Sequence, residues 1–520
     1  MTTPASLAGL EVQRRPSISP QNDYIVLGLD ADGDLPAGIL RTYEAAEVKG
    51  LCIVIEKDPR VLEAVKDKLP ANPDLHVFSG MPPEEIASTL LPILSREHSV
   101  RVNVLSHAPS TSRHPAYYAA VEEVIRETVL TRLVANQQTV FAFGKTFAWN
   151  TLRNLEWFAG ARTFPQERPA GDLGACVLCG AGPALDDAIP QLLALRDVPI
   201  IAADSALIPL RKAGINPAVV GTIDIQARKA AVFRANQDLT ADIWAQLTCS
   251  PRMSNSFATS PVWLHTATPH ARWMFESVGR FPPAIPEPLT VINSLYAACA
   301  NAGYSPVYLV GVDLAHTAGE RYHAAGSEHV WSTNKTLHDS VRTMEVAGFD
   351  GDAEDVTWLT SRSMYAAGQS LGLTAYRAQS VKGTVSVNAN TRGAHIANIP
   401  RGDLNPSGGG ILPDYEPPIE RAALQAAIHA LRDQLGDMMA DLTLLGCDDE
   451  HSALDLTKFE PAARLAYNTN PQALFQARQQ QRGGDHKGSS MTIVDASLAG
   501  ADFILRVLKD VEDAWTRKTP

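Results

Sequence analysis

Short, unbroken apolar runs, each followed by a polar or glycine-bearing turn and then by a segment of helical period, recur along most of this chain. Residues 24–29 (YIVLGL), 51–55 (LCIVI) and 75–78 (LHVF) have the pattern of strands buried on both faces, and residues 37–48 and 59–68 between them have the period of helices. That alternation predicts a doubly wound α/β unit of the Rossmann-like kind, reaching to about residue 136. Gly28, Gly33 and Gly38 follow its first strand, and Glu56 ends its second, where dinucleotide-binding folds keep an acid for a ribose hydroxyl. Asp30 and Asp32, however, stand where a phosphate would approach. The unit is therefore expected to serve as scaffold.

The alternation restarts at residues 175–224, ACVLCGAGPALDDAIPQLLALRDVPIIAADSALIPLRKAGINPAVVGTID. An apolar strand at 176–179 runs into Gly180-Ala181-Gly182-Pro183-Ala184 and then into a helix, so the two glycines permit close backbone approach and the proline suits a first turn. Unpaired N–H groups over 180–185 are expected to cradle a phosphate at the positive end of that helix. A second strand at 198–203 ends in Asp204-Ser205, and a third at 218–222 ends at Thr222, shortly before Asp224. In an open parallel sheet, ligands bind beyond the carboxyl ends of strands, which places Gly180, Asp204, Ser205, Thr222 and Asp224 on one rim.

Further strands are expected at 243–248 and 262–265, then a helix that Ser294 caps and Gly303 closes, then a strand at 307–312 that delivers Asp313. The loop beyond it carries His316, Arg321, Tyr322, His323, Glu328 and His329. A histidine near its ordinary pKa can take a proton from a hydroxyl at neutral pH, which makes this loop a candidate source of a base. The histidine spacings match no standard metal-binding helix motif.

Residues 147–171 read as a bridge into the central region, with a boundary near Pro169, and the Pro- and Gly-rich residues 400–418 read as a linker. Helical patterns follow at 419–439, 461–479 and 497–515, interrupted by the polar residues 479–490, which are expected to lack fixed structure. The expected organisation is an N-terminal α/β domain over 1–168, a central doubly wound α/β domain over 169–400, and a linker with an α-helical domain over 401–520.

The chain has 520 residues, a formal net charge of -12 and a pI of about 5.6, which disfavours a surface that tracks nucleic acid or anionic lipid. It has no apolar stretch of the roughly 18 residues that a membrane span needs and no export signal, so a cytoplasmic protein is expected. Six cysteines, at 52, 176, 179, 249, 299 and 447, fall mostly within apolar patterns and read as reduced, buried thiols. Cys176 and Cys179 make a C-x-x-C, but on a strand they face opposite ways.

Taken in order, GAGPALD, AADSAL, GINPAVVGTID, LVGVDLAH and RYHAAG resemble the motility associated factor family of flagellin glycosyltransferases, and WNTLRNL at 149–155 and NANTRGAHI at 388–396 extend the likeness. The resemblance implies a sialyltransferase-like central domain that transfers a nonulosonic acid, of the pseudaminic, legionaminic or sialic kind, from a CMP-sugar to Ser or Thr of flagellin. It implies that Gly180, Ala181, Gly182, Pro183 and Ala184 hold the nucleotide phosphate, with Asp204 and Ser205 near the nucleoside and Asp224 on the rim. It further implies that Asp313 and His323 lie at the reacting centre. Ala184 stands where the family usually has Ser, which removes one hydroxyl donor. Thr222 and Ser294 complete the expected donor site, and Arg321 and Arg228 are the candidate partners of the sugar carboxylate. No cofactor is required, although magnesium remains an option.

Two other functions fit the same pattern. The central region is also similar to magnesium- and ATP-dependent hydroxymethyldihydropterin diphosphokinases, but Thr222-Ile223-Asp224-Ile225 offers one acid where those enzymes place several. A non-catalytic flagellin-binding assembly factor is the third.

Overall fold

The structure, a computed structural model, describes residues 22–46, 50–83, 102–130, 143–316, 322–327, 343–445 and 486–518, with a few positions outside these spans; within them it leaves out 73, 165, 267, 286–288 and 407. By internal contacts the chain forms two units, Met1–Ala142 with Gly446–Leu454 and Asn470–Ser497, and Phe143–Leu445 with Asp455–Thr469 and Leu498–Pro520. The expected boundary at Pro169 thus falls inside the second unit.

The first unit contains a four-stranded parallel sheet of β1 (Asp23–Leu27), β2 (Cys52–Glu56), β3 (Leu75–Ser79) and β4 (Val102–Ser106), in the order β3-β2-β1-β4. β1 and β2 are buried at every position, as their unbroken apolar sequences require. Glu56 is 1% exposed, and its carboxylate is taken by the protein itself. One oxygen accepts the Leu29 N–H at 2.8 Å, and the other accepts the Asp58 N–H at 2.9 Å and the Tyr118 hydroxyl at 3.2 Å. The acid that a ribose would use therefore fastens the loop after β1.

The second unit is built on an eight-stranded sheet of β5 (Arg162–Thr163), β6 (Cys176–Cys179), β7 (Ile200–Ala203), β8 (Val219–Thr222), β9 (Asp242–Gln246), β10 (Val262–Leu264), β11 (Val307–Val310) and β14 (Ser386–Asn388). All neighbours pair in parallel, in the order β14-β11-β6-β7-β8-β9-β10-β5. From β6 the chain winds outward through β7 to β10, then returns to lay β11 against the other side of β6. The order of strands reverses there, and in open parallel sheets ligands bind beyond the carboxyl ends of strands at such a reversal.

The helix Val291–Ala302 is buried on nearly every side and packs across the sheet, with Leu295 so close to β8 that a Cβ on Gly221 would lie 2.2 Å from its Cδ2. Gly303 closes this helix at φ 96, as expected, but the cap at its start is Thr290, whose hydroxyl accepts from the Asn293 N–H. Ser294 lies in the first turn instead, fully buried, with its hydroxyl accepting from Gln246 Nε2 at 2.8 Å.

Two features differ from expectation. An antiparallel sheet of β12 (Thr343–Asp350), β13 (Ala353–Ser361) and β15 (Arg392–Ala394) lies beside the loop after β11, in a region where no element was expected. Its strands mix small, acidic and β-branched residues on both faces, so the two-residue alternation is faint. Residues 400–418 are a docked strap and not a loose linker. Gly410 bridges to Gly174 and Glu416 to Thr163, Ile411 N–H donates to the Leu173 carbonyl, and Tyr415 donates to Asp242 while accepting from the Trp244 indole. Proline and glycine forbid regular structure there, so the backbone groups pair with loop edges.

The tail has long helices at Arg421–Leu445 and His486–Lys518. The second takes in residues 486–490 of the polar stretch expected to be unstructured, while most of 461–479, and Cys447, lie outside the described residues. The other five cysteines are buried free thiols, and burial pushes Cys179 up to about 12, far from the thiolate range. Among the described residues no helix is long and apolar enough to cross a membrane.

The WNTLRNL motif has a bracing role. Asn150 and Asn154 are buried, and their amides hold the loops after β8 and β9: Asn150 donates to the Ile225 and Thr248 carbonyls, and Asn154 to those of Leu247 and Cys249, each of the latter at 2.8 Å. Asn154→Ala would strand two buried carbonyls and the Ser254 hydroxyl, and is expected to cost about 2–4 kcal/mol. Urea unfolding checks this, and a loss of well under about 1 kcal/mol would rule out the bracing role.

Candidate functional site

At the strand reversal, the turns that follow β6 and β11 are in close contact. Gly180 N–H donates to the Val310 carbonyl and Gly182 N–H to the Gly311 carbonyl, each at 2.8 Å. A Cβ on Gly182 would lie 2.3 Å from Asp313 Oδ2, so only glycine lets the acid reach the helix that starts at Ala184. Asp313 Oδ2 accepts the Ala184 N–H at 2.9 Å, the first amide of the helix Ala184–Ala194.

Open amides over 180–185 were expected, and the structure corrects this. The amides of Gly180, Gly182 and Ala184 are engaged as above, that of Leu185 donates to the Gly182 carbonyl at 3.0 Å, and Pro183 has no N–H. Among the described residues the Ala181 N–H alone of this turn has no hydrogen-bond partner. The cause is the neighbouring strand: β11 ends in a glycine turn of its own, and the two turns saturate each other.

Asp313 is 2% exposed. Burial pushes its pKa up to about 7, against the opposing pull of the Ala184 N–H and the Arg392 guanidinium, while Asp187 and Asp186 push it further up. Its main chain is fixed too, since Ala394 N–H donates to its carbonyl at 2.9 Å and Gly393 passes close to its Cα. Val312 N–H donates to Asn390 Oδ1 at 3.2 Å.

One to two strands away lies a second cluster. Asp204, 1% exposed at the end of β7, accepts the Thr222 hydroxyl at 2.6 Å and pairs with Lys229 Nζ at 3.1 Å. Both its oxygens are thus committed, and Ser205 beside it is only partly buried. Asp224 is held up by burial, partly offset by the Gln226 N–H that it accepts, and the half-exposed Arg228 lies 3.8 Å from it.

The histidine loop is described in part, and Arg321, Glu328 and His329 lie outside the described residues. Residues 322–327 dock on the glycine turn, with Ala324 N–H donating to the Ala181 carbonyl at 2.8 Å and Ala325 N–H to the Asp186 carboxylate. His323 therefore flanks the same turn that Asp313 touches. His316 is buried and exchanges two backbone hydrogen bonds with Leu359 of β13, which suits a structural role. Asp313, Gly182, Ala184 and the His323 segment are brought together, and Asp204, Thr222, Asp224 and Lys229 form the neighbouring group. Ser294 stands behind the rim, turned to Gln246.

Lys229, Arg392, Asn388 and Asn390 were not singled out from the sequence. Lys229 lies five positions after Asp224, a spacing that matches no helical period, and a lysine in a surface-like run gives no sign of being buried. The two asparagines fall within the NANTRGAHI motif, yet the pairing of β11 with β14, which sets Asn388 opposite Leu309 and brings Asn390 to Val312, is not visible in it.

A profile of the family described as MptE-like, 6-hydroxymethylpterin diphosphokinase MptE-like, matches residues 150–319. Among solved structures the chain is similar to the MAf glycosyltransferase from Magnetospirillum magneticum AMB-1, 16% identical, with a TM-score of 0.52 over 95% of this chain and 80% of that one. A match to the GsuK RCK domain, 9% identical with a TM-score of 0.14 over 69% of this chain and 96% of that one, is too distant to inform the fold. No curated protein matches. The resemblance to motility associated factors is thus met at the level of a matching domain and of the mixed α/β fold with parallel sheets.

Because Asp313 has a folded-state pKa near 7, above the roughly 3.9 of an unfolded chain, ionising it opposes folding: the cost is absent below about pH 4, grows as pH rises, and is complete above about pH 7. Asp313→Asn keeps an oxygen for the Ala184 N–H and removes the charge. It is expected to raise the melting temperature at about pH 8, with the gain shrinking toward about pH 5. A gain independent of pH would show that the charge is not the cause.

Proposed function

We propose that the protein is a glycosyltransferase that moves a nonulosonic acid from its CMP-activated form to Ser or Thr of flagellin, in the cytoplasm. The observation that carries this is the strand reversal, where the glycine turn, a helix N-terminus and a buried acid converge, within a fold that parallels a MAf glycosyltransferase over nearly the whole chain. The donor's single phosphate would sit at the start of the helix Ala184–Ala194, facing the macrodipole and the Ala181 N–H. The bond from the sugar's anomeric carbon to the phosphate oxygen breaks with its electrons going to CMP, so a fixed positive potential there favours the departing charge.

The acceptor hydroxyl attacks the same carbon and gives its proton to His323, the histidine on the segment docked at Ala181. The sugar carboxylate needs a cation. Arg228 is half-exposed on the rim, whereas Lys229 is committed to Asp204. Arg321, the other candidate cation by its place in the sequence, lies outside the described residues.

The matching family's description raises diphosphoryl transfer from ATP as the competing activity. That chemistry uses closely placed carboxylates to hold magnesium against a triphosphate. Here Asp204 has both oxygens occupied by Lys229 and Thr222, and one oxygen of Asp224 accepts the Gln226 N–H, so this cluster does not present the pair of open carboxylates that such a magnesium needs. This favours the sugar donor.

The direct test incubates the protein with flagellin and a CMP-nonulosonate and reads the intact mass of the acceptor. Addition of whole nonulosonate units is expected. His323→Ala should lower kcat by about a hundredfold to ten-thousandfold while leaving CMP affinity unchanged. Diphosphorylation of a hydroxymethylpterin with ATP and magnesium, in the absence of any mass gain on flagellin, would replace this function with the kinase.

A further inference from the structure

The helix N-terminus that should receive the donor phosphate already holds an anion-forming group of the protein. Asp313 Oδ2 sits on the Ala184 N–H, and its partner atom Oδ1 is buried without a hydrogen bond among the described residues. The carboxyl lies against Gly182, where a Cβ would fall 2.3 Å from its Oδ2. Next to the acid, the Asn390 carbonyl oxygen takes the N–H of Val312, and the Nδ2 of this residue, 6% exposed, is buried with no hydrogen-bond partner among the described residues. A buried donor without a partner on the residue that holds Val312, and an unpaired oxygen on the acid that follows Val312, mark a place suited to a further group that accepts hydrogen bonds. An anionic phosphate oxygen is such a group.

An ionised Asp313 and a phosphate cannot share one helix terminus in a site this dry without strong repulsion. We infer that Asp313 is a resident anion at the phosphate seat, and that binding of a nucleotide phosphodiester requires it to take up one proton. Once protonated, Asp313 has an O–H to donate, so the rival of the ligand becomes a partner. The groups acting on it are Arg392 from β15, which favours its anion, and Asp187 and Asp186 from the helix, which oppose it. His316 and His323 follow Asp313 in the same loop, and Arg392 is itself held by Asp187 at 3.1 Å. The shifted titration of Asp313 toward neutrality makes the proton available under ordinary conditions.

This inference rests on the phosphate placement proposed above, and its test separates the two. The probe is the methyl phosphodiester of cytidine 5′-monophosphate, whose phosphate does not titrate near neutrality. Calorimetric titration in two buffers of different ionisation heat counts protons taken up on binding. The expected result is close to one proton at about pH 8, with Kd rising roughly tenfold per pH unit above about 7. Asp313→Asn should bind with no proton uptake and a flat profile. Wild-type binding without uptake at about pH 8 overturns the inference, and it does so even if the variant fails to fold; so does a variant that keeps the pH slope.

Should the diester not bind while UDP or ATP does, the CMP-donor assignment falls. The proton count with that nucleotide at about pH 8.5, where its phosphates are fully ionised, then decides the present inference in the same way. Absence of binding by all three probes overturns both.

Discussion

The hydrogen bond from the Ala184 N–H to Asp313 is the constraint around which the second unit is arranged. It exists because β6 and β11 end in glycine turns that interlock, and because the antiparallel sheet of β12, β13 and β15 lies over the loop that carries the acid. Remove the close approach at Gly182 and the carboxyl no longer reaches the helix. Remove the cover and the acid returns to water, losing the desolvation that holds its proton near neutrality.

Around that contact the rim divides its polar groups by function. Asp204, Thr222 and Lys229 neutralise one another and stiffen the ends of β7 and β8. Asn150 and Asn154 do the same for the loops after β8 and β9 from outside the sheet. A buried ion pair adds little net stability but is costly to break, so this cluster makes a rigid wall of the rim. The strap at 400–418 completes the unit from the other end of the strands, since Gly410 bridges to Gly174 just before β6 begins.

The parallel strands were legible because strands buried on both faces have no choice but to be apolar throughout, and the turns after them because glycine and proline carry backbone meaning of their own. The rim was legible for the same reason: Asp204, Thr222, Asp224 and Asp313 stand where apolar runs stop. What escaped was decided by partners distant in sequence. That the amides after Gly180 were already bonded depends on Gly311, which no local pattern pairs with it. Ser294 has the residue type of a cap, but so does Thr290 one turn earlier, and the sequence does not distinguish them; the strap reads as loose because a segment without period shows nothing of the edges that receive it.

The strand reversal also dictates when the site can exist. Its two walls, β6 and β11, meet across 129 residues between Ala184 and Asp313, with four intervening strands laid on the opposite side of β6 first. On the ribosome, β6 emerges early and must wait with one edge unsatisfied until β11 is made, and such long-range parallel pairing folds slowly. The site is therefore a late product of synthesis, and the apolar Cys176–Cys179 edge is the surface that a chaperone would have to shield in the interval.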